Sequence, residues 1–212
     1  MSWPLLGAAL ALGLLHILAD YRRQWLRTYF YKPMAMLAII GLVLVESPPD
    51  NPYRWWILTG LILSLAGDVF LMLRPARFLP GLFAFLLAHL AYVSAFVHAL
   101  ERLHWPAILI ATLAGIVMLG LMWPGLKRLR IPVVIYVAAI VAMVAAATSA
   151  ALDMPTEGRI AAAVGSVLFL GSDACIGLAR FRRPFPAAQA LILGSYYPAQ
   201  ALIALSAGAL YS

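Results

Sequence analysis

The chain has 212 residues, of which 65% are hydrophobic and 11% are charged, and its mean hydropathy is +0.95. Soluble domains contain about 45–50% apolar and about 25% charged residues, so this composition excludes an ordinary soluble domain and predicts an all-α polytopic membrane protein. The net charge of +7 does not indicate a nucleic acid partner, because the basic residues lie in short loops beside apolar stretches. A single cysteine, Cys175, excludes an internal disulfide and a cysteine-based metal cluster.

Apolar stretches of about 17–25 residues predict membrane-spanning helices. We predict a bundle of eight, over residues 4–19, 29–45, 53–73, 78–100, 105–123, 132–152, 159–178 and 187–211, forming one transmembrane domain over residues 1–212. The N-terminus lacks the basic segment of a cleavable signal peptide, so we expect the first span to be retained.

Lys and Arg are distributed unevenly between the loops that join these spans. Three of the fifteen, Arg54, Arg102 and Arg159, lie in even-numbered loops. The other twelve lie in odd-numbered loops: Arg22, Arg23, Arg27, Lys32, Arg74, Arg77, Lys127, Arg128, Arg130, Arg180, Arg182 and Arg183. Because short cytoplasmic loops are rich in Lys and Arg, we predict that the odd-numbered loops are cytoplasmic and that both termini are not. In a bacterium the location would be the inner (plasma) membrane.

Two acidic residues, Asp68 and Asp173, lie inside predicted spans, in the third and the seventh. Their surroundings resemble each other, because Gly67 and Ser172 precede them and an Ala-Arg-Phe sequence follows each within a few residues. This near-repetition predicts a weak parallel repeat of four plus four spans. A charged side chain at this depth costs about 2.5–3.5 kcal/mol on insertion scales, so it requires a partner or a function.

Each of these acids lies five residues before the predicted cytoplasmic end of its span, or about 7–8 Å below the membrane boundary. Other polar residues fall in the same half of the membrane, namely Lys32, His89, Tyr92, Tyr196, Tyr197 and Gln200. Spans five and six offer little besides Tyr136, Thr148 and Ser149, and we assign them a packing role. His16 is interpreted as a structural or interfacial residue.

Paired carboxyl groups suit acid–base chemistry, because burial and mutual repulsion favour one protonated and one ionised group. No zinc-ligand spacing, nucleophile elbow or glycine-rich phosphate loop is present in the sequence. Three functions remain open at this point: a lipid hydrolase, a proton-coupled transporter that titrates the same two acids, and a non-catalytic scaffold. A structural pair between Asp68 and Lys32 is a further interpretation of the first acid.

The ordered motifs identify a resemblance to a known family. They are Lys32-Pro33, Gly67-Asp68 with Leu71, His89-Leu90-Ala91-Tyr92, Ser172-Asp173 with Arg180-Phe181, and Tyr196-Tyr197 with Gln200. In this order, on predicted helices from the second to the last, the set resembles the YhhN-like lysoplasmalogenase family.

The resemblance implies an integral membrane hydrolase that cleaves the vinyl ether bond of lysoplasmalogens to a fatty aldehyde and a glycerophospho-base. Asp68 and Asp173 fall on the two motif aspartates of the family and are its expected catalytic pair, one as general acid and the other as general base, in either order. The expected substrate-binding residues are Lys32, His89, Tyr92, Tyr196, Tyr197 and Gln200. We expect no metal and no cofactor, and the expected partners are a lysophospholipid substrate and the lipid bilayer.

Overall fold

The computed structural model describes residues 2–73 and 75–209, and all regular structure in this part of the chain is helical. The helices are α1 (Trp3–Tyr21), α2 (Trp25–Glu46), α3 (Pro52–Met72), α4 (Phe78–His98), α5 (Trp105–Leu126), α6 (Arg130–Asp153), α7 (Glu157–Phe181) and α8 (Ala188–Ala209). A 3-10 turn, Lys127–Leu129, joins α5 directly to α6, and the two helices count as one stretch of 49 residues. Seven stretches in the described chain are then long and apolar enough to span a membrane. The all-α prediction is confirmed, whereas the predicted count of eight spans and the repeat are not.

Capping side chains explain two of the helix starts. The Asn51 side chain accepts a hydrogen bond from the Tyr53 backbone N–H at 2.9 Å, and Pro52 occupies the first position of α3, where a missing N–H is tolerated. The Thr156 hydroxyl accepts a hydrogen bond from the Arg159 N–H at 3.3 Å at the start of α7. Both helices begin within two residues of the predicted positions.

Other boundaries differ from the prediction. Helix α2 begins at Trp25, four residues before the predicted start, because the charged and polar residues of its first turn end the apolar run without ending the helix. Helix α7 continues to Phe181, three residues beyond its predicted end. Residues 210 and 211 of the predicted last span, and the loop residue Arg74, lie outside the described residues.

Helices α5 and α6 form a hairpin rather than one straight rod. Lys127 adopts a φ of 46°, in the left-handed region, which breaks the helical path between them. Gly115 of α5 lies against Val141 of α6, whereas Met122, nearer the turn, packs in one cluster with Val133. Residues near the turn on α5 thus pack with residues near the turn on α6, and residues farther away pack with residues farther away. The two helices therefore run antiparallel.

The polar loops collect at two opposite ends of the bundle. At one end the Tyr21 hydroxyl donates a hydrogen bond to the Pro186 carbonyl at 3.0 Å, which joins the first and seventh loops. At the other end a His104 ring nitrogen and an Asp153 oxygen lie 2.7 Å apart, which joins the fourth loop to the end of α6. The end with the odd-numbered loops is called the basic end below.

The most extensive helix packing is between α3 and α4 and between α7 and α8. Helices α1 and α5 lie at the periphery, the first against α2 and α8 and the second against α6 and α7. Large side chains such as Tyr92 and Phe169 are fully buried in the centre. Apolar side chains also cover the outer faces: Ile110 is 67% exposed and Val117 is 60% exposed. Such a surface suits lipid contact, because a soluble protein rarely exposes apolar area on this scale.

Candidate functional site

Asp68, on α3, is 2% exposed, and each of its carboxylate oxygens contacts another side chain. Lys32 of α2 places its Nζ 2.9 Å from Oδ1, and its own side chain is 13% exposed. Tyr196 of α8 donates its hydroxyl proton to Oδ2 at 2.6 Å. A cation and a short hydrogen bond on opposite oxygens both stabilise a carboxylate anion. The ion pair with Lys32, considered from sequence as a structural alternative, is present.

Asp173, on α7, is also buried but has different neighbours. Tyr136 of α6 donates a hydrogen bond to Asp173 Oδ2 at 2.6 Å. His89 Nε2 of α4 lies 3.6 Å from the same oxygen, which is too long for a hydrogen bond. In the described part of the chain no Lys or Arg forms an ion pair with Asp173. The two acids therefore occupy unlike electrostatic surroundings.

Aromatic rings connect the two carboxylate environments. Phe169 lies between them, with its ring centroid 5.6 Å from that of Tyr196 and 4.8 Å from that of His89. His89 also contacts the Tyr136 ring, at 5.0 Å between centroids. A chain of ring contacts thus runs from the hydrogen-bond donor of Asp68 to the two neighbours of Asp173.

The remaining predicted residues are buried near this cluster. The Tyr92 hydroxyl donates to Gln200 Oε1 at 2.7 Å, while the Tyr197 hydroxyl lies 2.7 Å from His16 Nδ1. Within the described residues both ring nitrogens of His89 and the Nε2 of Gln200 have no hydrogen-bond partner. Buried polar atoms without a partner are uncommon and often mark positions for water or a ligand.

Two residues near the predicted site were not predicted to take part in it. Tyr136 lies on α6, to which a packing role was assigned, yet it binds Asp173; that assignment was incomplete. His16 was interpreted as structural or interfacial, yet it is buried and lines the cavity described next. The only sequence signal for either was a polar side chain within an otherwise apolar span.

A cavity of about 640 Å³ extends inward from the basic end, between α1, α2, α7 and α8 and the adjoining ends of α3 and α4. Its polar lining includes His16, Asp20, Thr28, Lys32, Arg180 and Gln189. The Arg180 guanidinium stacks on the Phe78 ring at 3.7 Å, which holds the cation at the cavity wall. Of the six predicted substrate-binding residues, Lys32 lines this cavity. Asp68 lies behind Lys32, as its ion-pair partner, and does not itself line the cavity.

A second cavity, of about 40 Å³, is lined by Asp173 and Tyr136 and otherwise by apolar side chains, including Leu82, Met118 and Met122. The two cavities share three lining residues, Leu71, Phe78 and Ile176. These shared side chains thus separate a polar chamber that contacts Lys32, the partner of Asp68, from an apolar chamber that contacts Asp173. Among the described residues, His, Cys, Asp and Glu form no group of three that could hold a metal ion.

Comparison with known proteins assigns a family to this arrangement. The model of the YhhN family matches residues 27–207. Human lysoplasmalogenase TMEM86B is 35% identical over 177 residues, which cover 83% of this chain and 73% of that protein. The lysoplasmalogenase of Mycobacterium tuberculosis is 35% identical over 178 residues, covering 80% of this chain and 66% of that protein.

A further relative covers almost the whole chain. The membrane protein YhhN of Escherichia coli O157:H7 is 28% identical over 208 residues, or 97% of this chain and 99% of that protein. No solved structure matches the chain. The apolar helices and the family match agree, and the chain is an integral membrane protein that belongs to the YhhN family.

Proposed function

We propose that this protein is a membrane-embedded hydrolase that cleaves the vinyl ether bond of a lysoplasmalogen, or of a related lysolipid, to a fatty aldehyde and a glycerophospho-base. The observation that carries the proposal is the pair of buried carboxylates beside two adjoining chambers, one polar and one apolar. A lysolipid has this polarity, with a headgroup and glycerol at one end and a single chain at the other. Relatives named lysoplasmalogenase support the same substrate class.

The unlike surroundings of the two acids support a division of roles. Asp68 is ionised, because the Lys32 ammonium and the Tyr196 hydroxyl stabilise its anion. Asp173 keeps its proton in the resting enzyme, because its hydrogen-bond donor, Tyr136, is uncharged and the chamber around it is apolar. Asp173 is therefore the general acid, and Asp68 is the general base.

The reaction then proceeds in two proton-balanced steps. Asp173 donates its proton to the β-carbon of the vinyl ether, which places the positive charge of an oxocarbenium ion on the α-carbon and its oxygen. Asp68 stabilises this cation and removes a proton from the water that bonds to the α-carbon, giving a hemiacetal. In the second step Asp68 returns its proton to the glycerol oxygen as the carbon–oxygen bond breaks. Asp173 takes the hemiacetal hydroxyl proton, which releases the aldehyde and restores both acids.

The order of the chambers fits the order of the substrate atoms. The β-carbon is on the chain side of the vinyl ether, and the α-carbon is on the glycerol side. Asp173 borders the apolar chamber, which at about 40 Å³ has room only for the first carbons of the chain, beside Leu82, Met118 and Met122. Asp68 is held by Lys32 of the polar chamber, and Arg180 in that chamber would bind the phosphate. The acid thus meets the carbon that accepts a proton, and the base meets the carbon that accepts water.

The shared wall between the chambers gives a direct test of this substrate position. Ile176→Trp places a large ring between the two chambers, and we expect kcat/KM for a long-chain substrate to fall at least about tenfold. Val117→Trp adds the same ring on the exposed outer face of α5 and should leave activity unchanged. Equal effects of the two substitutions would contradict the route through the wall.

We also infer that α5 and α6 cross the membrane separately, giving eight crossings in one transmembrane domain. Their shared stretch has 49 residues, more than twice the roughly 20 needed for one crossing. Asp68 is bound from α2 and α8, whereas Asp173 is contacted from α6 and α4, which are the helices that correspond to α2 and α8 in a four-plus-four repeat. The basic end is assigned to the cytoplasm.

Purified full-length protein in detergent tests the activity. We expect it to release aldehyde from a lysoplasmalogen, measured by NADH oxidation with an added aldehyde reductase, and none from acyl or saturated alkyl lysolipids. Asp68→Asn and Asp173→Asn should each lower the rate about 10²–10⁴-fold, the usual contribution of a general acid or base. Asp50→Asn, at an exposed loop acid, should leave the rate unchanged.

Folded wild-type protein that releases no aldehyde from any vinyl ether lysolipid would overturn this function. The proton-coupled transporter that uses Asp68 and Asp173 would then be the next hypothesis. It would be tested by proton uptake into vesicles that contain the purified protein.

A further inference from the structure

His16 stands out among the buried polar residues because the mechanism above does not use it. It lies on α1, outside the residues 27–207 matched by the family model. The side chain is 1% exposed to the outside, yet it lines the polar chamber together with Lys32. A buried imidazole at the wall of a chamber that also contacts the ion-pair partner of Asp68 is a candidate for contact with a ligand.

The depth of His16 matches that of Asp68. His16 lies five residues before the end of α1 at Tyr21, and Asp68 lies four residues before the end of α3 at Met72. At about 1.5 Å per residue these positions are about 7 and 6 Å from helix ends that both face the basic end. His16 therefore borders the chamber near the level of the reacting groups rather than at its mouth.

One nitrogen of the His16 ring is already in use. Nδ1 lies 2.7 Å from the Tyr197 hydroxyl, and the two rings meet edge to face at 6.0 Å between centroids. Gly13 permits this approach, because a Cβ there would lie 2.8 Å from the Tyr197 ring. The hydrogen bond fixes the orientation of the imidazole and leaves Nε2 as the nitrogen that can bind a ligand.

We propose that His16 is a substrate-binding residue whose Nε2, oriented by Tyr197, hydrogen-bonds the free glycerol hydroxyl of the lysolipid. This inference rests on the proposed function. The phosphate has a cationic ligand in Arg180, and the reacting carbons lie beside Asp68 and Asp173. The free hydroxyl is the substrate's remaining uncharged polar group near the glycerol, and an imidazole can donate to or accept from a hydroxyl. A second acyl chain at that oxygen would remove the hydroxyl, so His16 would also select lysolipids over two-chain lipids.

A binding experiment separates this inference from the hydrolysis itself. The probes are a saturated 1-O-alkyl lysophosphoethanolamine, which has no vinyl ether to cleave, and its analogue without the glycerol hydroxyl. Affinities of the full-length protein in detergent are measured by calorimetric titration. We expect wild type to bind the hydroxyl probe about 5–150-fold more tightly, the range for a buried group that loses its hydrogen-bond partner.

The variants then assign that preference to His16. His16→Phe should bind both probes equally, His16→Gln should keep part of the preference, and Tyr197→Phe should reduce it. His98→Gln, at an exposed histidine of α4, should bind as wild type does. Wild type that binds both probes equally, or a folded His16→Phe variant that keeps the preference, would overturn the inference.

The remaining outcomes are also decisive. If His16→Phe does not fold, the wild-type comparison together with His16→Gln and Tyr197→Phe decides the question in the same way. A preference for the hydroxyl probe in a protein that releases no aldehyde would refute the hydrolase while preserving His16 as a hydroxyl-binding residue. Aldehyde release without the preference would refute the inference alone.

Discussion

The ion pair between Lys32 and Asp68 allows the charge state of the proposed base to be tested without any substrate. With Nζ 2.9 Å from Oδ1, the gross attraction is about 6 kcal/mol at an effective dielectric constant of about 20. Desolvation of both ions offsets most of this, but removal of one partner leaves the other charge uncompensated at a cost of about 3–5 kcal/mol. Because Lys32 is 13% exposed and borders the chamber, we take the lower limit, about 3 kcal/mol, for Lys32→Met.

Thermal unfolding in detergent measures this cost for wild type, Lys32→Met, Asp68→Asn and the double variant. For a chain of about 200 residues, 1 kcal/mol changes Tm by about 2–4 °C, so Lys32→Met should lower Tm by about 6–12 °C. Asp68→Asn should cost less, because the remaining ammonium reaches the polar chamber. The double variant should recover at least half of the decrease in Tm that Lys32→Met causes, because no unpaired charge remains. A double variant no more stable than Lys32→Met would show that Asp68 is not ionised in the folded protein.

Two further predictions concern Asp173 and the packing of α5. Tyr136→Phe removes the hydrogen bond to the Asp173 anion that forms on proton donation, which is worth about 1.5–3 kcal/mol. In the aldehyde assay kcat should therefore fall about 10–100-fold with little change in KM. An unchanged kcat would refute this role of Tyr136. Gly125→Ala should lower Tm by several degrees, because its Cβ would collide with the backbone carbonyl of Phe181, whereas Gly120→Ala has open space and should not lower it. Equal changes in Tm for the two glycine variants would contradict the packing at Gly125.

The elements that the sequence predicts well are those determined by the bilayer. A hydrocarbon core of about 30 Å requires an apolar run of a particular length, so helices α3, α4 and α5 begin within one residue of the predicted positions. The two acids were also identifiable, because a charge is conspicuous in an apolar run. The start of α2 was missed because the polar residues of its first turn belong to the helix but not to the hydrocarbon core.

Contacts between helices were much harder to predict. In a membrane both the lipid-facing and the core-facing sides of a helix are apolar, so the sequence pattern does not reveal which side faces inward. Tyr136 therefore gave no sign of facing Asp173, 37 residues further along the chain. That Tyr196 and Tyr197 line one pocket stays a prediction. The sequence did not indicate their separate partners, because consecutive helix residues point about 100° apart. The first binds Asp68, and the second binds His16.

The roles of Asp173 as general acid and Asp68 as general base are tested most directly by azide rescue of alanine variants of the two acids. Azide attacks the α-carbon without losing a proton, so it can replace the water activated by Asp68 but cannot supply the proton donated by Asp173. Loss of a vinyl ether lysolipid and formation of its α-azido ether adduct would be followed by mass spectrometry. We expect azide to restore substrate consumption in Asp68→Ala and not in Asp173→Ala. Rescue of Asp173→Ala alone would contradict the assignment of general acid and general base.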